Sequence, residues 1–132
     1  MKVAYLDSSV LAAILFDEPG GAAMARKLGG LDTVVCSALL EAELRGAAAR
    51  EAVTLDEEQL AAITWITPQQ PLSAQYRQVL AAGLVRGAEL FHLACALHFY
   101  GGSEHGVFLT LDVAQRTVAQ KLGFVTEWAA IS

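Results

Sequence analysis

Four short, apolar, β-prone runs are spread along the chain: KVAYLD, TVVCS, GVFLT and FVTEW. Each is separated from the next by sequence of helical character. A buried strand reads as a short continuous apolar run bounded by turn residues, and KVAYLD stops abruptly on an acid. Between the runs, SSVLAAILFDE starts on serines and is broken by Pro19 and Gly20-Gly21, and AAMARKL is closed by Gly29-Gly30. SALLEAELRGAAAR reads as a helix capped by Ser37. TLDEEQLAAITWI reads as another, with Thr54 and Glu57 as a capping box and an apolar stripe of Leu60, Ile63, Trp65 and Ile66. TPQQPL is a connection or a short strand. Helices are predicted over about 73 to 82 and 87 to 100, and LDVAQRTVAQKL is a last helix closed by Gly123. Strands that alternate with helices define an α/β domain with a parallel central sheet, flanking helices and right-handed crossovers.

A chain of 132 residues is enough for one such domain with a proper core. It is 55% hydrophobic, with a mean hydropathy of +0.42. The longest unbroken apolar run, from Val10 to Phe16, is nonetheless far below the ~18 residues of a membrane span. The N-terminus meets Asp7 too soon for a signal-peptide core. A cytoplasmic protein without a membrane partner is the expectation, with spare apolar surface for another chain. The net charge of −5 argues against a protein that coats nucleic acid by neutralising phosphates, but leaves room for an enzyme with a small site. Cys36 and Cys95 lie in an apolar strand and an apolar helix, and read as buried free thiols.

Four acids stand out on this scaffold. Asp7 ends the first strand and Asp112 lies two residues beyond GVFLT, so both reach the carboxyl edge of the sheet, where α/β proteins bind ligands. Each has a plainer role open to it as a helix cap, Asp112 with Gln115 three residues on. Glu41 and Arg45 share a helix face as a surface ion pair, whereas Glu43 turns towards a more apolar side. Glu89 sits in the apolar segment GAELFHLACALHF, three residues before His92, which is placed to pair with it. Several acids converging on one cleft repel one another unless protonated or holding a cation. Hard oxygen donors of this kind suit Mg²⁺ or Mn²⁺.

In these motifs the chain resembles the PIN-domain proteins, and in detail the VapC-type toxin ribonucleases. YLDSSVLAAIL is similar to the family's opening, with Asp7 at the first acidic position and Ser9 at its accompanying serine. CSALLEAELRGA resembles the second motif, whose acid falls six residues after the serine, which selects Glu43. GAELFHLACAL resembles the third, and VFLTLDVAQRTVAQKLGF the fourth, with Thr110 beside Asp112. The family usually carries Asp where this chain has Glu89, one methylene longer.

The resemblance implies one PIN domain over residues 1–132 and metal-assisted hydrolysis of RNA phosphodiester bonds. Asp7, Glu43, Glu89 and Asp112 would hold one or two Mg²⁺ or Mn²⁺ ions. Ser9 and Thr110 would orient ligands, His92 would support Glu89, and Arg45, Arg86 and Arg116 would be phosphate contacts or plain surface charges. It further implies a homodimer held inactive by a small VapB-like antitoxin, seated on the first helix and LAAITWI. Trp65 and Ile66 are equally suited to core packing. Two other functions are weighed against the ribonuclease. One is a noncatalytic PIN-fold RNA-binding or scaffold protein, which the Glu89 departure favours. The other is a receiver-like Mg²⁺-binding signalling domain, which wants adjacent acids after the first strand and a lysine after a late one. Asp7 is followed by Ser8, and no lysine ends VFLT.

Overall fold

The apolar runs pair as a parallel sheet because each offers side chains to two covered faces. The computed structural model describes residues 2–104 and 106–131. Its four strands are β1 (Val3–Leu6), β2 (Thr33–Ser37), β3 (Thr64–Ile66) and β4 (Phe108–Leu109), all parallel, in the order β3-β2-β1-β4. Alternation along the strands splits the core in two. Tyr5, Val35 and Phe108 face one layer, made by α5 (Ser73–Ala82), α6 (Gly87–Tyr100) and α7 (Val113–Leu122). Ala4, Leu6, Cys36 and Leu109 face the other, made by α1 (Ser8–Leu15), α2 (Gly21–Leu28), α3 (Ala38–Arg50) and α4 (Glu57–Ala61). The result is an α/β domain with a parallel sheet flanked by helices, as the strand–helix alternation predicts.

Local chemistry sets the helix boundaries. Asp7, Ser37, Asp56 and Asp112 each accept a backbone N–H of the turn that follows, so four helices start on a capping side chain. Gly123 ends α7 at φ 104°, a left-handed conformation that a side chain would strain. Gly21 lets α2 run back against α1 so closely that a Cβ there would overlap the Ala13 carbonyl. Both cysteines are free and buried. Burial pushes the Cys36 thiol well above its ordinary value, and the nearby Asp7 charge adds to the rise.

Two sequence expectations change. TLDEEQLAAITWI is capped by Asp56 rather than Thr54. It is helical only over Glu57–Ala61, and then becomes β3. The β-branched and aromatic residues Thr64, Trp65 and Ile66 pair with Val35, Cys36 and Ser37, so a sheet edge claims what local spacing assigns to a helix. Trp65 and Ile66 pack against the two cores, and the Trp65 indole donates to the Leu60 carbonyl at 3.2 Å. FVTEW contributes a single parallel bridge, Val125 to Val107, before a short 3₁₀ turn at Trp128–Ile131. Among the described residues, no single helix is long and apolar enough to cross a membrane.

Candidate active site at the switch point of the sheet

β1 has β2 on one side and β4 on the other, so the chain reverses direction across the sheet at the β1–β4 boundary. Crossovers diverge there and open a crevice beyond the carboxyl ends of the strands. Leu6 registers with Leu109, and the Asp7 N–H donates to the Leu109 carbonyl at 3.0 Å, which sets Asp7 and Thr110 side by side over that crevice.

Asp7 is 3% exposed and is held from several directions. Its Oδ2 accepts from Ser9 Oγ at 2.8 Å, from Thr110 Oγ1 at 2.9 Å and from the Ser9 N–H at 3.3 Å. Each hydroxyl spends its one hydrogen on Asp7 and accepts from the backbone in turn: Ser9 Oγ from the Leu111 N–H at 2.9 Å, Thr110 Oγ1 from the Asp112 N–H at 3.0 Å. Gln115, buried in the first turn of α7, completes the ring. A carboxylate only accepts, so the Gln115 amide nitrogen is the end that faces it, 3.0 Å from Oδ2 and 3.2 Å from Oδ1.

Asp112 enters the same network through its backbone, while its carboxylate caps α7 by accepting from the Gln115 N–H at 2.9 Å. Its capping role is therefore realised. Arg116 donates to the Thr110 carbonyl at 3.2 Å, which holds its guanidinium at this strand end.

A second buried network stands at the end of β2. Ser37 Oγ lies 2.9 Å from His92 Nδ1, and His92 Nε2 lies 3.0 Å from Glu43 Oε1. The expected Glu89–His92 pair is not formed. The His92 ring turns inward with the buried stripe of α6, and its partners are Ser37 and Glu43. Glu89 stays at the partly exposed start of α6, where Oε2 accepts the Arg86 N–H at 3.3 Å. Arg45 is engaged by Glu57 and Glu41 at 2.9 Å, the surface ion pair expected of Glu41 extended by a second acid. Glu57 first and Glu41 second push its pKa upward. Arg86 is exposed at the α6 N-terminus.

Asp7, Ser9, Thr110, Asp112 and Arg116 thus share one network, Glu43 and His92 a neighbouring one, and Glu89 stands apart from both. Among the described residues, no three His, Cys, Asp or Glu side chains are gathered as a metal-holding group. The donor chemistry nevertheless fits a hard divalent cation. Asp7 is nearly enclosed and, among the described residues, accepts from hydroxyl, amide and backbone donors. Among the described residues it has no cationic partner. Mg²⁺ characteristically binds through one or two carboxylates and keeps several waters, so a complete protein cage is not required.

Gln115 and Ser37 are the residues that sequence reasoning passed over as site members. Both carried a signal. Gln115 occupies the Val118–Ala119 face of α7, a polar residue in an apolar stripe, and Ser37 ends a β-strand as Asp7 does.

A parallel α/β domain with a buried carboxylate at the sheet's switch point belongs to the class that binds ligands beyond its strand ends. The chain is a member of the PIN domain family, whose sequence model matches residues 4–121. PIN domains are typically nucleases, hydrolases that use divalent metals such as Mg²⁺. A search of curated proteins gave no match.

Proposed function

We propose that this PIN domain is an Mg²⁺- or Mn²⁺-dependent endoribonuclease and serves as the VapC-type toxin of a toxin–antitoxin pair in the cytoplasm. The observation that carries the reading is Asp7: a nearly enclosed carboxylate at the switch point, braced by Ser9, Thr110 and Gln115, with no counter-charge among the described residues. Asp7, Asp112, Glu43 and Glu89 are the oxygen donors that would hold the ion. Bound there, a divalent cation supplies a water of lowered pKa and offsets charge on the leaving oxygen.

The remaining work falls to the chain's own groups. Ser9 and Thr110 fix both the rotamer and the lone-pair direction of Asp7. Arg116, anchored on the Thr110 carbonyl, and Arg86, exposed near Glu89, are the cations best placed to receive RNA phosphates. Arg45 would first have to leave two carboxylates.

For the antitoxin and a second copy of the chain, the support is apolar surface. A cavity of about 260 Å³ is lined by Leu11 and Ile14 of α1, Leu28 of α2, and Ala62 and Ile63 after α4. The first helix and LAAITWI, which supply Leu11, Ile14, Ala62 and Ile63 of this lining, are the segments expected to receive a VapB-like helix or strand. Removal of metal with a chelator should abolish RNA cleavage, and re-addition of Mn²⁺ or Mg²⁺ should restore it.

One observation favours a noncatalytic RNA-binding or scaffold protein instead. Asp112, Glu43 and Glu89 each have a partner within the fold already: the α7 cap, His92 and the Arg86 N–H. RNA binding that persists with a chelator present, without cleavage under any metal, would select that reading.

A further inference from the structure

We propose that His92 is the positioning residue for Glu43, acting through a one-way hydrogen-bond relay that starts at the α3 N-terminus. The inference rests on the reading of Glu43 as a metal ligand. The direction of the relay follows from its ends. At one end, the Leu40 N–H donates to Ser37 Oγ at 3.2 Å, which occupies a lone pair and leaves the hydroxyl its single hydrogen. At the other end, Glu43 Oε1 only accepts, so the His92 nitrogen 3.0 Å away, Nε2, carries the proton. In a neutral ring, Nδ1 is then bare, and it receives the Ser37 O–H across 2.9 Å. Every donor meets one acceptor. The opposite tautomer would set a bare nitrogen against a carboxylate oxygen.

Burial decides that this is more than a local contact. Ser37 is fully buried and His92 is 1% exposed, so water does not substitute for either link. The Glu43 side chain, at the far end, is 38% exposed. One oxygen is therefore tied to the core while the carboxylate still reaches solvent. A glutamate has several free torsions to lose when it binds an ion, and a buried N–H on Oε1 removes part of that freedom in advance. Glu43 is thereby a pre-set donor past the carboxyl end of β2, the strand that pairs with β1.

The alternative is that His92 only fills space, and four proteins separate the two: native, His92→Leu, His92→Gln and Asp7→Ala. His92→Leu keeps apolar volume without a donor, and His92→Gln keeps an N–H in reach of Glu43. Each is melted to confirm folding and titrated with Mn²⁺ alone. The metal-free native protein is examined by ¹⁵N-edited NMR of the imidazole. The expected results are a His92 ring with its proton on Nε2, facing Glu43, Mn²⁺ affinity roughly 10–100-fold weaker in His92→Leu, and recovery of most of that loss in His92→Gln. An Nδ1-protonated ring would overturn the proposal. So would folded His92→Leu binding Mn²⁺ like the native protein, or folded His92→Gln as weak as His92→Leu. If His92→Leu does not fold, the tautomer and the His92→Gln titration decide. Native protein that binds Mn²⁺ no better than Asp7→Ala would sink the metal-site reading instead, and the tautomer would still decide the relay.

Discussion

Thr110 Oγ1 donates to Asp7 Oδ2 at 2.9 Å, which ties the ends of two neighbouring strands 103 residues apart in the chain. The bond does two things at once: it closes the β1–β4 boundary and aims a buried carboxylate. Thr110→Val keeps the shape and removes the donor, leaving a buried charge under-satisfied. A loss of about 1–3 kcal/mol in urea denaturation is expected, with Thr110→Ser recovering most of it. Gln115→Leu, which removes the amide from the same carboxylate, should fall in the same range. Native-like midpoints for both would show that the ring around Asp7 contributes nothing to the fold.

Ala52 just after α3 has φ 55°, left-handed backbone that penalises any residue with a Cβ. It is exposed, so a substitution there disturbs no packing. Ala52→Gly should raise stability by about 1 kcal/mol, read as a higher denaturation midpoint with an unchanged slope. A lower midpoint would mean that the α3 C-terminus is not left-handed in solution.

Burial raises the pKa of Cys36 and Tyr5, and of Cys95 and Tyr100 as well. The sign follows from proton binding. With folded values above unfolded ones, the folded state keeps protons that the unfolded chain releases as pH climbs past the ordinary values, 9.0 for Cys and 10.0 for Tyr. Stability is then fully present below those values. It falls as pH rises through them, by at most about 1.4 kcal/mol per pH unit for each proton retained. Urea melts taken from about pH 8 to about pH 10.5 check the slope. Cys36 should also stay silent to a thiol reagent at neutral pH until the protein unfolds. A flat alkaline profile together with fast labelling of native protein would contradict the burial of these groups.

How much of this was legible in the chain itself depends on the reach of each signal. The strands β1 and β2, their order with the helices, and the caps at Ser37 and Asp112 follow from contiguous residues, and local physics decides them. Asp7 at a strand end needed only the knowledge that parallel sheets bind ligands there. The partner of His92 was hidden, because Glu89 at i+3 is its neighbour in sequence while Glu43 is 49 residues away. Helical spacing brings the first pair within reach, but the buried side of α6 decides which way the ring turns. The β3 edge was hidden for the same reason: Thr64–Ile66 becomes a strand only because β2 lies beside it. The capping box expected of Asp112 and Gln115 is half formed: the Gln115 N–H donates to Asp112, while the Gln115 side chain faces Asp7, a contact between elements that local spacing does not show.

Glu89, freed of His92, is the departure from the usual Asp, and among the described residues the Arg86 N–H is what holds it. As a metal donor it predicts that Glu89→Gln weakens Mn²⁺ binding, whereas Glu89→Asp keeps or improves both binding and cleavage. Isothermal titration with Mn²⁺ checks the first, and initial cleavage rates with Mg²⁺ and Mn²⁺ check the second. Glu89→Gln with native metal affinity would reduce Glu89 to a cap of α6.

RNA cleavage by native protein against Asp7→Ala, with Mn²⁺ present and both proteins shown to be folded, bears most directly on the proposed nuclease function. Asp7 is the carboxylate around which Ser9, Thr110 and Gln115 are arranged, so its removal should lower the cleavage rate by at least about 100-fold. Equal rates for the two proteins, or no cleavage by the native chain on any RNA offered, would contradict a nuclease site at the β1–β4 switch point.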